Sequence, residues 1–114
     1  MMDSEHIVQR AVMLAVGGRP DCRIFRNSLG RFQDATGRWV RFGIANPGGA
    51  DLIGWRTVNG VARFLAIECK SERGQTTEAQ DTFLQAVRRA GGIGIVARSV
   101  EEAIAGLDGD GPSS

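Results

Sequence analysis

Residues 51–70, DLIGWRTVNGVARFLAIECK, predict a β-hairpin that brings two acidic side chains together. Asn59-Gly60 is the strongest short turn signal in this stretch, because a type I′ turn needs positive φ at both central residues. Centring the turn there places Asp51 directly opposite Glu68 across the two strands, provided that no bulge intervenes.

An opposed pair of carboxylates points to a bound cation. Directly opposed side chains have Cβ atoms about 4.5–5.5 Å apart, and like charges at this distance are destabilising. A divalent ion shared by Asp51 and Glu68 would compensate for the repulsion. Because successive strand residues alternate between the two faces, Lys70 falls on the same face as Glu68, and Cys69 between them points into the core.

Length and composition describe one globular domain with an uneven charge distribution. The 114 residues are 42% hydrophobic and 24% charged, which suits a single folded domain. Residues 19–41 contain six arginines and two aspartates, whereas residues 99–114 contain four acidic residues and no basic one. This distribution favours a polyanionic partner on one side, although an arginine-rich strand pair can also be a merely solvated surface.

Lysine and cysteine usage adds two expectations. Lys70 is the only lysine beside 13 arginines, so its position next to the acidic pair stands out. Cys22 and Cys69 fit no metal or redox spacing, which favours buried, reduced thiols. No apolar run reaches transmembrane length and no signal peptide opens the chain. We expect a cytoplasmic protein, encoded by a bacterium or a phage, with no membrane partner.

The first half of the chain predicts a helix followed by strands. The helix begins at Asp3 or Ser4 and ends at Gly17-Gly18, and its predicted buried stripe consists of Ile7, Val8, Ala11, Val12, Leu14 and Ala15. Short strands cover residues 23–27 and 39–42, and residues 45–50 form a loop that leads to Asp51.

The second half predicts helices on either side of a short strand. Thr77 begins a helix whose predicted buried residues are Phe83, Leu84, Val87 and Ala90. Residues 93–97 form a strand parallel to residues 61–69, and Ser99 caps a last helix. The expected fold class is therefore α/β, with a mixed sheet flanked by helices in the approximate order α-β-β-β-α-β-α. We predict one domain over residues 1–107 and a flexible tail over residues 108–114.

Three motifs carry a resemblance to a known family. Residues 47–52 (PGGADL), 66–70 (AIECK) and 77–80 (TEAQ) resemble the PD-(D/E)xK nuclease superfamily. Within that superfamily, the size of the chain, the N-terminal helix with Glu5 and the downstream Gln80 are similar to the virus-type replication-repair nuclease (VRR-NUC) domain. The similarity runs from about residue 5 to residue 100.

The resemblance implies a restriction-endonuclease-like core and a metal-dependent DNA endonuclease. In the family, Mg²⁺ or Mn²⁺ is the cofactor, and the matching ligands are Asp51, Glu68 and the backbone carbonyl of Cys69. Lys70 matches the residue beside the attacking water, which it would orient or deprotonate. Glu5 matches an acidic position that binds a second metal or its water, and Gln80 matches a further active-site position. Small members form homodimers that cleave branched DNA such as four-way (Holliday) junctions, without a small-molecule cofactor.

Each candidate has a structural alternative. Asp51 and Glu68 can form surface ion pairs with arginines, and Lys70 can be a solvated residue at a strand end. Glu5 is already favoured in the first turn by the helix dipole. Gln80 completes a T-x-x-Q capping box with Thr77 and can serve only to close the helix. The whole chain can also be a non-catalytic nucleic-acid-binding module of the same fold, or a small protein-interaction domain.

Basic and polar residues before and after the hairpin are the candidates for DNA contact. Nothing in the sequence resembles a base-reading helix, so we expect recognition of nucleic-acid shape through the phosphate backbone. The candidates are Arg26, Asn27, Ser28, Arg31, Arg38, Arg41 and Arg73.

Overall fold

The computed structural model describes residues 4–109, which form three helices and six strands. In chain order these are α1 (Ser4–Gly17), β1 (Cys22–Arg26), β2 (Gly30–Gln33), β3 (Trp39–Phe42), β4 (Leu52–Val58), β5 (Val61–Cys69), α2 (Glu78–Arg89), β6 (Ile93–Ala97) and α3 (Val100–Asp108). Within this part of the chain no helix is long and apolar enough to cross a membrane.

A four-stranded mixed sheet with strand order β1-β4-β5-β6 forms the centre of the molecule. The β1–β4 and β4–β5 pairs are antiparallel, and β5–β6 is parallel. Helices α1 and α3 cover one face with the larger apolar cluster, and α2 covers part of the other face. The predicted mixed sheet flanked by helices is confirmed, and so is the parallel orientation of β6.

The β4–β5 hairpin has the predicted register. Leu52 pairs with Ile67 and Val58 with Val61, with no bulge between them. Asn59 and Gly60 have φ values of 52° and 79°, as a type I′ turn requires. The hairpin was predictable because the turn dipeptide alone determines which residues face each other.

A separate two-stranded sheet, formed by β2 and β3, corrects the predicted strand content. The approximate order gave three strands before α2, and the predicted segments gave four, namely residues 23–27, residues 39–42 and the two arms of the hairpin. The structure has five, and the additional strand is β2, which the sequence placed in a loop. The β2–β3 pair lies outside the main sheet, and most of its residues are exposed. Strands exposed on both faces lack the apolar alternation that marks a half-buried strand, so β2 gave no clear signal.

The buried side of α1 also differs from the prediction. Ile7 and Leu14 are 57% and 79% exposed, and the fully buried residues of this helix are Val12 and Val16. A single α-helix resting on β1 and α3 buries a narrow stripe, so apolar residues at the edge of the predicted stripe stay in solvent. Ala90 is likewise exposed at the C-cap of α2. Asp3, the alternative start of α1, lies outside the described residues.

An ion cluster ties the start of β1 to β4 and to the end of α3. Asp21 accepts hydrogen bonds from Arg19 and Arg56, each at 3.0 Å, and Arg19 also contacts Asp108 at 2.9 Å. The Arg19 guanidinium, followed by that of Arg56, holds the pKa of Asp21 well below its usual range, although partial burial opposes the shift. Asp108, the first residue of the predicted tail, is thus the last residue of α3; residues 110–114 lie outside the described residues.

We expect Asp21→Asn to lower the free energy of unfolding by about 2 kcal/mol at pH 7, since it removes the negative charge that accepts three charge-assisted hydrogen bonds. A depressed pKa stabilises the folded state above the unfolded value near 4, and that stabilisation disappears as the pH falls further. The difference between wild type and variant should therefore shrink between pH 4 and pH 2. Urea denaturation of both proteins at pH 7 and at pH 2 measures this difference; an equal difference at the two pH values contradicts the assignment.

Candidate active site

The acidic pair lies where β4 begins and β5 ends, on the face of the sheet covered by α2. Glu68 is the second-last residue of β5 and is 1% exposed. Lys70 follows β5 and is 8% exposed, and Asp51 directly precedes β4. Cys69 points to the opposite face, where it is fully buried in the larger core cluster. The alternatives of a surface ion pair for Glu68 and of a solvated Lys70 are therefore wrong, because both side chains are buried.

Hydrogen bonds hold one oxygen of Asp51 and one oxygen of Glu68, and they leave the second Glu68 oxygen without a partner. Asp51 Oδ2 accepts a hydrogen bond from the backbone N–H of Cys69 at 2.9 Å, which ties the aspartate to β5. Glu68 Oε2 accepts from Gln80 Nε2 at 3.0 Å and lies 3.4 Å from Lys70 Nζ. Glu68 Oε1 is buried and has no hydrogen-bond partner. A buried carboxylate oxygen without a partner is costly, so this atom marks a place for a ligand.

The charges of the site lead to the same conclusion as its hydrogen bonds, namely that the two carboxylates are not fully compensated. Burial, and then the negative charge of Asp51, raise the pKa of Glu68 to about 7, while Lys70 acts in the opposite direction. One lysine therefore does not neutralise two carboxylates held this close in a buried setting.

Gln80 closes the helix, as one of the two alternatives predicted, and its side chain also contacts the acidic pair. Its backbone N–H donates to Thr77 Oγ1 at 3.1 Å, and its side-chain Oε1 accepts from the Thr77 N–H at 2.9 Å, which completes the capping box of α2. The amide nitrogen remains free of the cap and donates to Glu68. The cap thus orients an amide group in the site.

The loop before Asp51 packs closely on the start of α2, and glycine is required there. Gly48 has φ +100°, and a Cβ at this position would lie 2.6 Å from the carbonyl oxygen of Ala79. A Cβ on Gly49 would lie 2.0 Å from the carbonyl oxygen of Ile44. Because these two residues lack a Cβ, the loop can pack against α2 on one side and against the Ile44 carbonyl group of the loop itself on the other. This path of the loop places Asp51 beside Glu68.

Asn27 is corrected from a candidate DNA contact to a structural residue. Its Nδ2 donates to the carbonyl oxygens of Ile44 and Ala50, both at 3.0 Å, and its Oδ1 accepts from the Ile44 N–H at 3.0 Å. The side chain is 8% exposed, and both of its N–H donors are used within the loop. It holds the loop that carries Asp51 and has no donor left for a phosphate.

Glu5 reaches the site from α1. It lines a cleft of about 210 Å³ together with Asp51, and His6, Gln9, Arg26, Asn27, Ser28 and Leu29 complete the wall. Within residues 4–109 no group of three or more His, Cys, Asp or Glu side chains converges on one point. An ion at Asp51 and Glu68 would therefore need backbone or water oxygens as well.

The donor set fits a hard divalent cation. Two carboxylates, one of which has a buried oxygen without a partner, suit Mg²⁺ or Mn²⁺, because these ions take oxygen ligands and keep several waters. Burial raises the pKa of the Cys69 thiol to about 12, and the side chain faces the core. Only the backbone carbonyl of Cys69 is therefore available as a ligand.

The basic candidates separate into two groups. Arg26 and Ser28 line the cleft with Asp51. Arg31, Arg38 and Arg41 lie on the β2–β3 hairpin, and Arg73 lies in the turn between β5 and α2. Of the described residues, no carboxylate forms an ion pair with any of these five arginines.

Two further residues shape the basic surface and the loop beside the site, and neither was predicted from the sequence. Trp39 stacks with Arg31, whose Cζ lies 4.6 Å from the ring centroid. Asn46 Nδ2 donates to the carbonyl oxygens of Gly30 and Phe42, both at 2.8 Å, and so joins the β2–β3 hairpin to the loop before Asp51. The alternation of arginine with aromatic residues in the hairpin could have indicated that Trp39 belongs to a binding surface. No feature of the sequence indicates the contacts of Asn46.

Comparison with known proteins gives one match. The model of the VRR-NUC domain family matches residues 31–101, which is more than half of the chain and includes Asp51, Glu68, Lys70 and Gln80. No curated protein and no solved structure gives a significant match. The chain therefore belongs to the VRR-NUC family, which implies a nuclease-type function on a nucleic-acid substrate.

Proposed function

We propose that this nuclease is a Mg²⁺- or Mn²⁺-dependent DNA endonuclease with a PD-(D/E)xK-type core. The observation that carries the proposal is the buried, unpartnered Oε1 of Glu68 beside the carboxylate of Asp51. Native folds leave only a few buried polar atoms without a partner, and a bound ion or an ordered water explains such an atom. A cation between the two residues would satisfy that oxygen and remove the repulsion.

Asp51, Glu68 and the backbone carbonyl of Cys69 would hold the ion, and Glu5 would serve a second ion or its water. Such an ion supplies positive charge beside the scissile phosphate and makes a water molecule more acidic near neutral pH. The residues around it set the direction of attack. The hydrogen bond from the Cys69 N–H keeps Asp51 in place when substrate enters.

Lys70 would act on the attacking water. Its ammonium group is 3.4 Å from Glu68 Oε2 and only 8% exposed, so it is fixed beside the metal ligands. In this position the ammonium can orient the water and stabilise the charge that develops on the phosphate, and as a neutral amine the same group could accept the proton of the water. Gln80, held by the capping box, can orient the same water or a phosphate oxygen.

The basic residues would guide DNA to this site. Arg26 and Ser28 share the cleft with Asp51. Within residues 4–109, no carboxylate forms an ion pair with Arg73 or with the arginines of the β2–β3 hairpin. Contacts of this kind bind phosphates and carry no base preference. Together with the resemblance to junction-cleaving relatives, they support branched DNA, such as four-way junctions, as the substrate.

We also propose a homodimer formed through the open face of the main sheet. Helix α2 packs on β6 and on part of β5. Phe25 of β1, Trp55 of β4 and Phe64 near the start of β5 remain 50%, 39% and 43% exposed. Phe25 and Trp55 stack at 5.9 Å, and Trp55 pairs with Phe64. A contiguous exposed aromatic surface is typical of an interface, and a two-fold axis there would give two active sites for symmetric cleavage.

We expect Phe25→Glu to convert the dimer to a monomer, because it buries a charge in the centre of the apolar interface. Sedimentation velocity measures the change, with Phe32→Glu, a similarly exposed aromatic residue of the β2–β3 hairpin, as the matched control. A wild type that is monomeric at high micromolar concentration contradicts the dimer.

The nuclease proposal is tested with labelled four-way junction, flap and duplex DNA. Cleavage should require Mg²⁺ or Mn²⁺, stop in EDTA, and be fastest on branched DNA. Binding without cleavage in any metal would identify a non-catalytic binding module and overturn the proposal.

A further inference from the structure

One face of the β2–β3 hairpin is built from basic and aromatic side chains. Cross-strand pairing places Arg31 opposite Arg41, and Gln33 opposite Trp39. Since directly opposed residues share a face, these four side chains form one surface, which we call the arginine–tryptophan face. Phe32, Val40 and Phe42 lie on the opposite side of the same hairpin.

This face carries uncompensated positive charge. Two arginines directly opposed on adjacent strands are destabilising unless an anion or a salt bridge intervenes. The only carboxylate of residues 30–42 belongs to Asp34, and it accepts hydrogen bonds from the backbone N–H groups of Thr36 and Arg38. No carboxylate among residues 4–109 pairs with Arg31 or Arg41. An anionic partner would compensate for these two charges.

The face also presents an aromatic ring that packing does not explain. Trp39 is 57% exposed, and one side of its indole is covered by the Arg31 guanidinium at 4.6 Å. A cation over the ring fixes its orientation. The remaining exposed surface is a rigid, flat and apolar platform next to two positive charges.

The face adjoins the active site. Arg31 and Arg41 line a cavity of about 230 Å³ with Leu29, Gly30 and Asn46. Leu29 also lines the cleft that contains Glu5 and Asp51. A polyanion in the active-site cleft can therefore continue onto the arginine–tryptophan face.

We propose that the arginine–tryptophan face binds an unpaired segment of the nucleic-acid substrate, with a base stacked on Trp39 and phosphates on Arg31 and Arg41. The inference rests on the nuclease function and names one part of its substrate class more narrowly: among branched DNA, the structures such as flaps in which single-stranded nucleotides adjoin the cleaved bond. In a duplex the faces of the bases are occupied by their neighbours, so only an unpaired base can stack on a protein ring. Arginines alone would bind paired and unpaired strands without this distinction.

The test measures binding in EDTA, where no cleavage occurs. The probes are an oligothymidylate of about 16 nucleotides, which is within the site sizes of such surfaces, and a duplex of the same length. In a Trp55→Phe background the intrinsic emission reports on Trp39 alone, and oligothymidylate should quench it. Trp39→Ala should weaken oligothymidylate binding by about 5- to 100-fold, in line with one stacked base, and duplex binding less than twofold.

Three further variants separate stacking from charge and from folding. Trp39→Phe keeps a ring and should retain most of the affinity for oligothymidylate. Phe32→Ala removes an aromatic residue of similar exposure from the opposite side of the hairpin and should leave binding unchanged. Arg31→Ala with Arg41→Ala should weaken both probes and lower the dependence of affinity on salt.

Two results overturn the inference. One is an equal loss, or no loss, for both probes in Trp39→Ala. The other is a dimer that dissociates in this variant, which would assign the face to a second copy of the chain. Neither result affects the proposed catalysis, because metal-dependent cleavage is measured separately with DNA of each class. Absence of cleavage with intact stacking would instead overturn the catalytic proposal alone.

Discussion

Replacement of Lys70 by methionine is expected to lower the rate of DNA cleavage by about 10²- to 10⁴-fold, the range for loss of one acid–base or charge-stabilising group. Methionine has nearly the same length and keeps the packing of the lysine stem, which matters because Lys70 is only 8% exposed. It removes the ammonium group 3.4 Å from Glu68 Oε2. The measurement is the single-turnover rate on a junction substrate at saturating Mg²⁺.

Binding of DNA should change little in Lys70→Met, because one buried charge contributes little to phosphate contacts made elsewhere. Arg89→Met, an exposed charge loss on α2, is the matched control and should cleave at the wild-type rate. Circular dichroism verifies that both variants fold. A Lys70→Met protein that cleaves within threefold of wild type would remove Lys70 from the chemistry.

Asp51→Asn should make the metal-free protein more stable while abolishing metal binding. The asparagine oxygen can still accept the Cys69 N–H, and its new amide group can donate to the unpartnered Oε1 of Glu68. Removing the repulsion between two buried carboxylates leaves Glu68 paired with Lys70. We expect the melting temperature in EDTA to rise by about 4–8 °C, which corresponds to roughly 1 kcal/mol for a domain of this size.

The same variant should lose the response to metal. Millimolar Mn²⁺ should raise the melting temperature of wild type by binding the folded state, and it should leave that of Asp51→Asn unchanged. Glu101→Gln, the same charge change at an exposed position of α3, is the control and should behave as wild type in both conditions. A lower melting temperature for Asp51→Asn in EDTA would show that Asp51 is structural.

The hairpin and its acidic pair were predictable because they depend on local rules. Asn59-Gly60 determines the turn, the turn determines the register, and the period of two assigns Glu68 and Lys70 to one face. The parallel placement of β6 follows from the helix between it and β5. These features need no knowledge of the rest of the chain.

Features that depend on distant contacts were not predictable. The loop role of Asn27 arises from carbonyl groups 17 and 23 residues away. The hydrogen bond from the Gln80 side chain to Glu68 forms only when α2 packs against β5. The exposure of Ile7 and Leu14 reflects how narrow the contact of α1 is, and β2 has no buried face to mark it. In each case the local sequence is compatible with several structures, and contacts with distant parts of the chain decide which of them forms.

The central claim is that Asp51 and Glu68 share a divalent cation. A crystal soaked in Mn²⁺, with anomalous diffraction recorded, tests it directly. We expect one strong peak between the two carboxylates, within about 2.0–2.6 Å of Glu68 Oε1 and of an Asp51 oxygen, a range that covers Mg²⁺- and Ca²⁺-type oxygen ligands. A soaked crystal with no peak there, or with manganese bound only elsewhere, would contradict it.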